Sequence, residues 1–152
     1  MIKLSNDTKI SKYFYLSEAT FLPKIQEFYI PSLKELDNIQ RLAKKLDKVR
    51  DFIGLPFSVN VWIRPNNFVN SKKQVIDYNA LVGGAKNSAH ITGSAVDGIF
   101  KGIDLDISIQ EISKKLNEFE LSMEQNGTAY GRNWIHLQDK AMTDGKFRIF
   151  LP

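Results

Sequence analysis

Ser88-Ala89-His90-Ile91-Thr92-Gly93-Ser94-Ala95-Val96-Asp97, followed downstream by Trp134-Ile135-His136, is the stretch on which the reading of this chain turns. The chain has two histidines, and both lie in these segments. Written S-x-H-x-x-G-x-A-x-D and W-x-H, the pair offers two imidazoles and a carboxylate. That is a three-ligand set suited to zinc, with one coordination position left for water. Gly93 lets the backbone turn tightly, so that His90 and Asp97 can converge. Val96 to Phe100 reads as a strand, and His136 arrives from a neighbouring one. There Ile135 and Leu137 point away from His136 and anchor the strand in the core. Ser88 is a candidate to orient a ligand by hydrogen bonding. Zinc in such a set lowers the pKa of its water to about 7 and polarises a carbonyl. Iron or manganese would also fit these donors. The plainer reading is two unrelated histidines, one in a loop and one in a strand; their coincidence with two matched segments favours the metal.

Working outward, Pro31 and Ser32 start the clearest helix. Leu33, Leu36, Ile39, Leu42, Ala43, Leu46, Val49 and Ile53 recur at spacings of three and four, and Gly54 with Pro56 marks the stop. Ahead of it, Phe14 to Thr20 opens with aromatics and offers Ser17 as a helix cap, with Tyr13, Phe14 and Phe21 packing this segment onto the core. Phe57, Val59, Val61 and Ile63 alternate with Ser58, Asn60 and Trp62, a strand with one face in the core, and Arg64 stands at its end before a Pro-Asn-Asn turn. Asn70 to Asn79 reads as a polar segment, and Leu81 to Ala85 as a glycine-rich approach to the motif. After the motif, Asp104 to Ser108 reads as a loop. Ser108 and Glu111 form a capping box, and Ile109, Ile112, Leu116, Phe119 and Met123 a helical stripe ended by Gly127. Thr128 to Tyr130, Trp134 to Gln138 and Phe147 to Phe150 are strand candidates. The order predicts an α+β fold, helices packed against a largely antiparallel sheet, with residues 1–152 forming a single domain.

A chain of 152 residues can bury a real core, and 43% hydrophobic with 25% charged residues is ordinary for a globular protein. The absence of cysteine excludes a disulfide scaffold and thiolate zinc sites, so any metal is held by nitrogen and oxygen. No signal peptide is legible in residues 1–20 and no stretch is apolar enough to span a bilayer, which leaves localisation open. The net charge of +4 comes from basic residues mixed with acids throughout. Trp62, Trp134 and the lysines form no aromatic–basic platform, so nucleic acid is not an expected partner.

The decapeptide with its later histidine resembles the pattern of the zinc D-Ala-D-Ala carboxypeptidase and L-alanyl-D-glutamate endopeptidase family, which includes phage endolysin-like and bacterial murein peptidases. Hedgehog signalling domains share its metal geometry. The resemblance extends to the Phe14 to Thr20 segment, the long helix, the Val59 to Pro65 strand ending in arginine, and Leu81 to Gly84. It implies a monomeric zinc peptidase acting on the peptides of peptidoglycan, with His90, Asp97 and His136 as ligands. It further implies that Arg64 faces substrate, where a guanidinium can pair with a carboxylate or an oxyanion. Trp134, Asn133, Gln138 and Ser88 are the expected substrate-binding positions.

One departure stands out. Family members carry an acidic general base near the last histidine, Glu three residues before it or Asp two after; here those positions are Asn133 and Gln138. An amide can hydrogen-bond to water but cannot take its proton. Asp139 is one residue out of phase, on the side of Ile135 and Leu137, unless a bulge brings it in. Asp104, Asp106, Glu124 and Asp144 are carboxylates that folding could deliver. Two readings follow: a zinc hydrolase of cell-wall peptides whose base lies elsewhere, or a zinc-binding cell-wall or protein interaction module with weakened catalysis.

Overall fold

The structure, a computed structural model, describes residues 5–152; the first four residues of the amino-terminal stretch read above for a signal lie outside it. The chain runs α1 (Leu16–Thr20), β1 (Phe21–Leu22), β2 (Glu27–Phe28), α2 (Leu33–Ile53), β3 (Phe57–Val61), β4 (Phe68–Val69), β5 (Val75–Ile76) and α3 (Tyr78–Leu81). It continues as β6 (Ala95–Phe100), α4 (Leu105–Ser113), α5 (Leu116–Phe119), β7 (Ser122–Glu124), β8 (Ile135–Gln138) and β9 (Ile149–Phe150). Short 3-10 turns occupy Ala89–Thr92 and Thr128–Tyr130.

The main sheet has the order β3-β6-β8-β7-β9. Its first three pairings are antiparallel, and β7 with β9 is parallel. The fold is therefore α+β, with a sheet that is mixed at one edge. The helix α2 is set by its ends as much as by its stripe. Ser32 caps it by accepting from the Glu35 amide while Glu35 reaches back to the Ser32 amide at 2.7 Å, and Gly54 closes it in the left-handed region at φ 76°. Ile39, Leu42, Ala43, Leu46 and Val49 are buried as the periodicity predicts, but Leu33 is 86% exposed because it sits on the first turn, beyond the sheet it would have to cover. Pro31 precedes the cap rather than joining the first turn. The core lies between this helix and the sheet, with Phe14, Trp62, Ile112, Leu121, Met123, Ile135 and Leu137 among its fully buried side chains.

Several expectations are corrected. Helix α1 is capped at Tyr15, whose amide donates to Glu18 at 2.8 Å, and Ser17 lies inside it. The alternation of the first long strand breaks at a register shift between Val59 and Val61, and beyond it Trp62 and Ile63 are both fully buried. The polar run from Asn70 to Asn79 contains β5 and the start of α3, paired back onto β4, and these two-residue strands are too short to give a period. Asp104 caps α4 by accepting from the amides of Asp106 and Ile107, which starts the helix earlier than a Ser108 cap would; Ser108 is buried and bonds Leu105 O at 2.7 Å. The predicted single stripe is split: α4, then α5, with Met123 on β7. Thr128–Tyr130 is a 3-10 turn and not a strand.

Candidate metal centre

His90 lies in the 3-10 turn that links α3 to β6. Ser88 opens that turn, its hydroxyl accepting from the His90 amide at 3.3 Å, and Gly93 closes it at φ 77°. The glycine is required twice over. The left-handed angle disfavours a side chain, and a Cβ there would stand 2.7 Å from Ile39 Cγ1 of α2. The turn is bolted to the preceding strand: the Trp62 indole donates to Gly93 O at 3.0 Å, and the Arg64 amide to His90 O at 2.9 Å. His90 Nδ1 is 2.6 Å from Trp62 O. A carbonyl can only accept, so Nδ1 carries the proton and Nε2 keeps its lone pair.

Asp97 and His136 are directly paired residues of β6 and β8, so their side chains share one face of the sheet. The neighbours Ile135 and Leu137 are fully buried on the other face, as the alternation predicts. The three groups converge. His90 Nε2 is 3.2 Å from His136 Nδ1 and 3.2 Å from Asp97 Oδ1, and His136 Nδ1 is 2.7 Å from the same carboxylate oxygen. Four ligands held tetrahedrally at zinc distances stand about 3.3 Å from one another. Two of the three separations match that spacing and the third is shorter, so the donor set fits a tetrahedral metal and could hold one. Burial of His90, which is fully enclosed, pushes its pKa down, partly opposed by Asp97. For Asp97 burial acts upward, but hydrogen bonds with His136 and His90 outweigh it and hold the carboxyl well below its usual range. The neutral His90 imidazole and ionised Asp97 carboxylate, the forms that bind a metal, are thus the ones this site favours.

The cluster opens into a cavity of about 590 Å³ lined on one side by Arg64 and the Val82–Ala85 loop, and on the other by Glu124, Arg132, Trp134, Gln138, Lys140 and Phe150. Arg64 donates from Nη2 to Ser88 Oγ at 3.1 Å, while its buried Nε has no hydrogen-bond partner among the described residues. Burial pulls the Arg64 pKa down, opposed by Asp97 and Glu124. Asn79 braces the Val82–Ala85 loop on the Arg64 side from behind. Its amide nitrogen donates to Ala85 O at 3.0 Å, and a Cβ on Gly84 would fall 2.0 Å from Asn79 Oδ1.

Of the residues singled out from sequence, Arg64, Ser88, Asp97, Trp134, His136 and Gln138 line the cavity; His90 lies behind it, and Asn133 is exposed and does not line it. Gln138 Oε1 is 3.2 Å from His136 Nε2, on the ring edge opposite the cluster. Most of the alternative carboxylates are engaged elsewhere. Asp139 pairs with Lys45 at 2.6 Å and Arg41 at 2.5 Å on the helix side, with no bulge to turn it inward. Asp104 caps α4, Asp106 holds the Thr128 amide at 3.0 Å, and Asp144 pairs with Arg148 at 2.6 Å. Glu124 alone of these reaches the cavity. Arg132, Lys140 and Phe150 were not singled out. A turn arginine, a loop lysine and a late aromatic carry no pattern, and only the β7–β8 and β7–β9 pairings bring them to the site.

An α+β fold that brings His90 from a turn together with Asp97 and His136 from paired strands, beside an open cavity, defines a metal-capable centre. The family model for peptidase M15 matches residues 19–138, more than three quarters of the chain, and the protein belongs to that family. Comparison with curated proteins and with solved structures gave no match.

Proposed function

We propose that the protein is a zinc peptidase that hydrolyses an amide bond in peptidoglycan stem peptides, with His90, Asp97 and His136 as its metal ligands. The observation that carries this is the convergence of His90 Nε2, Asp97 Oδ1 and His136 Nδ1 within 3.2 Å at the floor of an open cavity, in a chain of the peptidase M15 family. Bound there, the metal would polarise the scissile carbonyl and acidify water.

The chain's own residues supply the rest. The Trp62 carbonyl fixes the His90 tautomer, and the β6–β8 pairing sets Asp97 against His136. Arg64, anchored through one nitrogen on Ser88 and with its Nε unpartnered among the described residues, offers donors to a substrate carboxylate or to charge developing on the carbonyl oxygen. Arg64 and Lys140 place cationic groups on the walls that can meet the carboxylates of wall peptides, while Arg132 is paired with Glu124. The bond cleaved would be of the D,D-carboxypeptidase or the L-Ala-D-Glu endopeptidase type. Trp134 and Gln138 are the cavity positions we assign to substrate; we assign none to Asn133, which is exposed and outside the cavity lining.

The amides at 133 and 138 also favour a second reading, a zinc-binding cell-wall or protein module with little turnover. One experiment separates them: quantify zinc bound per chain and follow amino groups released from purified peptidoglycan, for the protein and for His136→Ala. One zinc per chain with turnover lost in the variant supports the peptidase. Zinc without turnover on several wall chemotypes supports the module, and absence of metal binding refutes both.

A further inference from the structure

We propose that Glu124 is the catalytic carboxylate that takes the proton of the attacking water and hands it to the leaving amine, in place of the acidic residue absent at positions 133 and 138. This rests on the peptidase reading above. The strand β7 pairs antiparallel with β8 through Ser122 opposite Gln138 and Met123 opposite Leu137. The next step along β7 brings Glu124 beside His136, on the face that carries the cluster. Met123 is buried on the other face, and Glu124 Oε2 lies 3.9 Å from His136 Nδ1. Glu124 nevertheless stays outside the group of donor atoms that lie within 4.8 Å of one another. It is therefore one step back from the ligands, beside His136 and on the cavity wall.

Its other oxygen, Oε1, is held by Arg132, whose Nη1 also lies 3.4 Å from Asn126 Oδ1. That clamp leaves Oε2 directed at the cluster. The Glu124 side chain is 14% exposed, so it lies at the cavity wall and not in bulk water. In the step itself the water oxygen bonds to the carbonyl carbon, one water proton passes to Glu124 Oε2, and the carbon–nitrogen bond breaks as that proton moves to the departing nitrogen. The products are a carboxylic acid and an amine, and Glu124 ends as it began.

The test uses the zinc-loaded full chain, with Glu124→Gln and Glu124→Asp. Three quantities are read: zinc affinity by chelator competition, affinity for acetohydroxamic acid (which sheds a proton on chelation), and release of amino groups from peptidoglycan. For Glu124→Gln we expect zinc affinity within about threefold of the parent, hydroxamate affinity lower by about tenfold or more, and turnover lower by roughly 10²–10⁴ with KM little changed. Glu124→Asp, which keeps a carboxylate, retains intermediate values. Zinc affinity falling by more than about a hundredfold, beyond what losing a partner of a ligand costs, would make Glu124 a ligand and overturn the proposal. So would unchanged hydroxamate binding or unchanged turnover. A parent protein that binds zinc and hydroxamate but cleaves nothing refutes the peptidase reading instead, and the hydroxamate comparison still decides Glu124.

Discussion

Replacing Asp139 by Asn removes the one acid beside His136 in sequence that a motif reading would nominate as a base, and the structure assigns it a different job. Its carboxylate is 7% exposed and binds Lys45 Nζ at 2.6 Å and the Arg41 guanidinium at 2.5 Å, joining the end of β8 to α2. Breaking a fully buried pair costs about 3–5 kcal/mol, because a charge is left uncompensated. Here the loss is smaller. Lys45, 14% exposed, keeps a hydrogen bond to Glu120 O at 3.0 Å, and the half-exposed Arg41 keeps Asp37 at 3.2 Å and Asn38 at 2.9 Å. A cost of about 2 kcal/mol follows, which for a chain of this size lowers Tm by roughly 4–8 °C.

The assay is thermal unfolding followed by circular dichroism, run beside zinc affinity and peptidoglycan turnover at a temperature where Asp139→Asn is fully folded. The expected outcome is a lower Tm, unchanged zinc affinity and unchanged turnover. An unaltered Tm with turnover reduced a hundredfold would refute the reasoning, since it would place Asp139 in the chemistry and not in the joint between sheet and helix.

Three further outcomes follow from the same geometry. Zinc at a hundred times its Kd should stabilise the protein by about 2.7 kcal/mol, raising Tm by roughly 5–11 °C, with no rise in His136→Ala; an equal rise in that variant would place the metal elsewhere. Gly98→Ala should destabilise by about 1–3 kcal/mol, because the added methyl would stand 2.4 Å from Ser58 O and 2.6 Å from the Phe57 ring. Zinc affinity should fall with it, as Asp97 is the adjacent residue; a neutral result in urea titration would mean the β3–β6 spacing is looser than it stands. Without metal, stability should drop as pH falls. Burial lowers the His90 pKa, so below the unfolded value of about 6.5 the unfolded chain binds the extra proton and is favoured, by up to about 1.4 kcal/mol per pH unit. Asp97, held low, adds its own loss only at more acidic pH, below its unfolded value of about 3.9. The urea midpoint measured at pH 7.5 and 5.5 should fall in the parent and hold nearly level in His90→Asn; equal falls in both would remove His90 as the cause.

Much of this was legible because it is written in local patterns. The α2 stripe, the Ser32 cap and Gly54 stop are periodic or positional signals, and Ile135-His136-Leu137 gives its two faces by alternation alone. The convergence of His90 and Asp97 follows from a glycine that must turn the chain. What failed was non-local or too short to repeat. Asp104 outcompeted Ser108 as a cap because two free amides lay within its reach. Beyond a register shift near Asn60, Trp62 lies in the core, where its carbonyl and indole organise the His90 turn. The β4–β5 hairpin has two residues per strand, and no period can be read from two residues.

The missing base is the sharpest case, and it bears on how a degenerate motif should be weighed. Asn133 and Gln138 argue for lost catalysis only if the acid must come from the same strand as the last histidine. A sheet imposes no such rule: a residue across a strand pair stands as close to His136 as one two positions along its own strand. Gln138 reaches His136 Nε2, the edge of the ring away from the cluster, whereas Glu124 approaches Nδ1, the edge that faces Asp97 and His90. An acid at 138 and an acid at 124 would therefore meet the same imidazole from opposite edges. Both positions line the cavity, but only the latter lies on the ring edge that faces Asp97 and His90. The amide at 138 can still hydrogen-bond the ring and hold its orientation, so exchanging Asp for Gln there costs the ring no support as long as Glu124 is free to serve the edge facing the cluster. Activity and motif then come apart, and the β7–β8 register, not the residue two beyond the histidine, is the feature to examine when judging whether such a chain can turn over substrate.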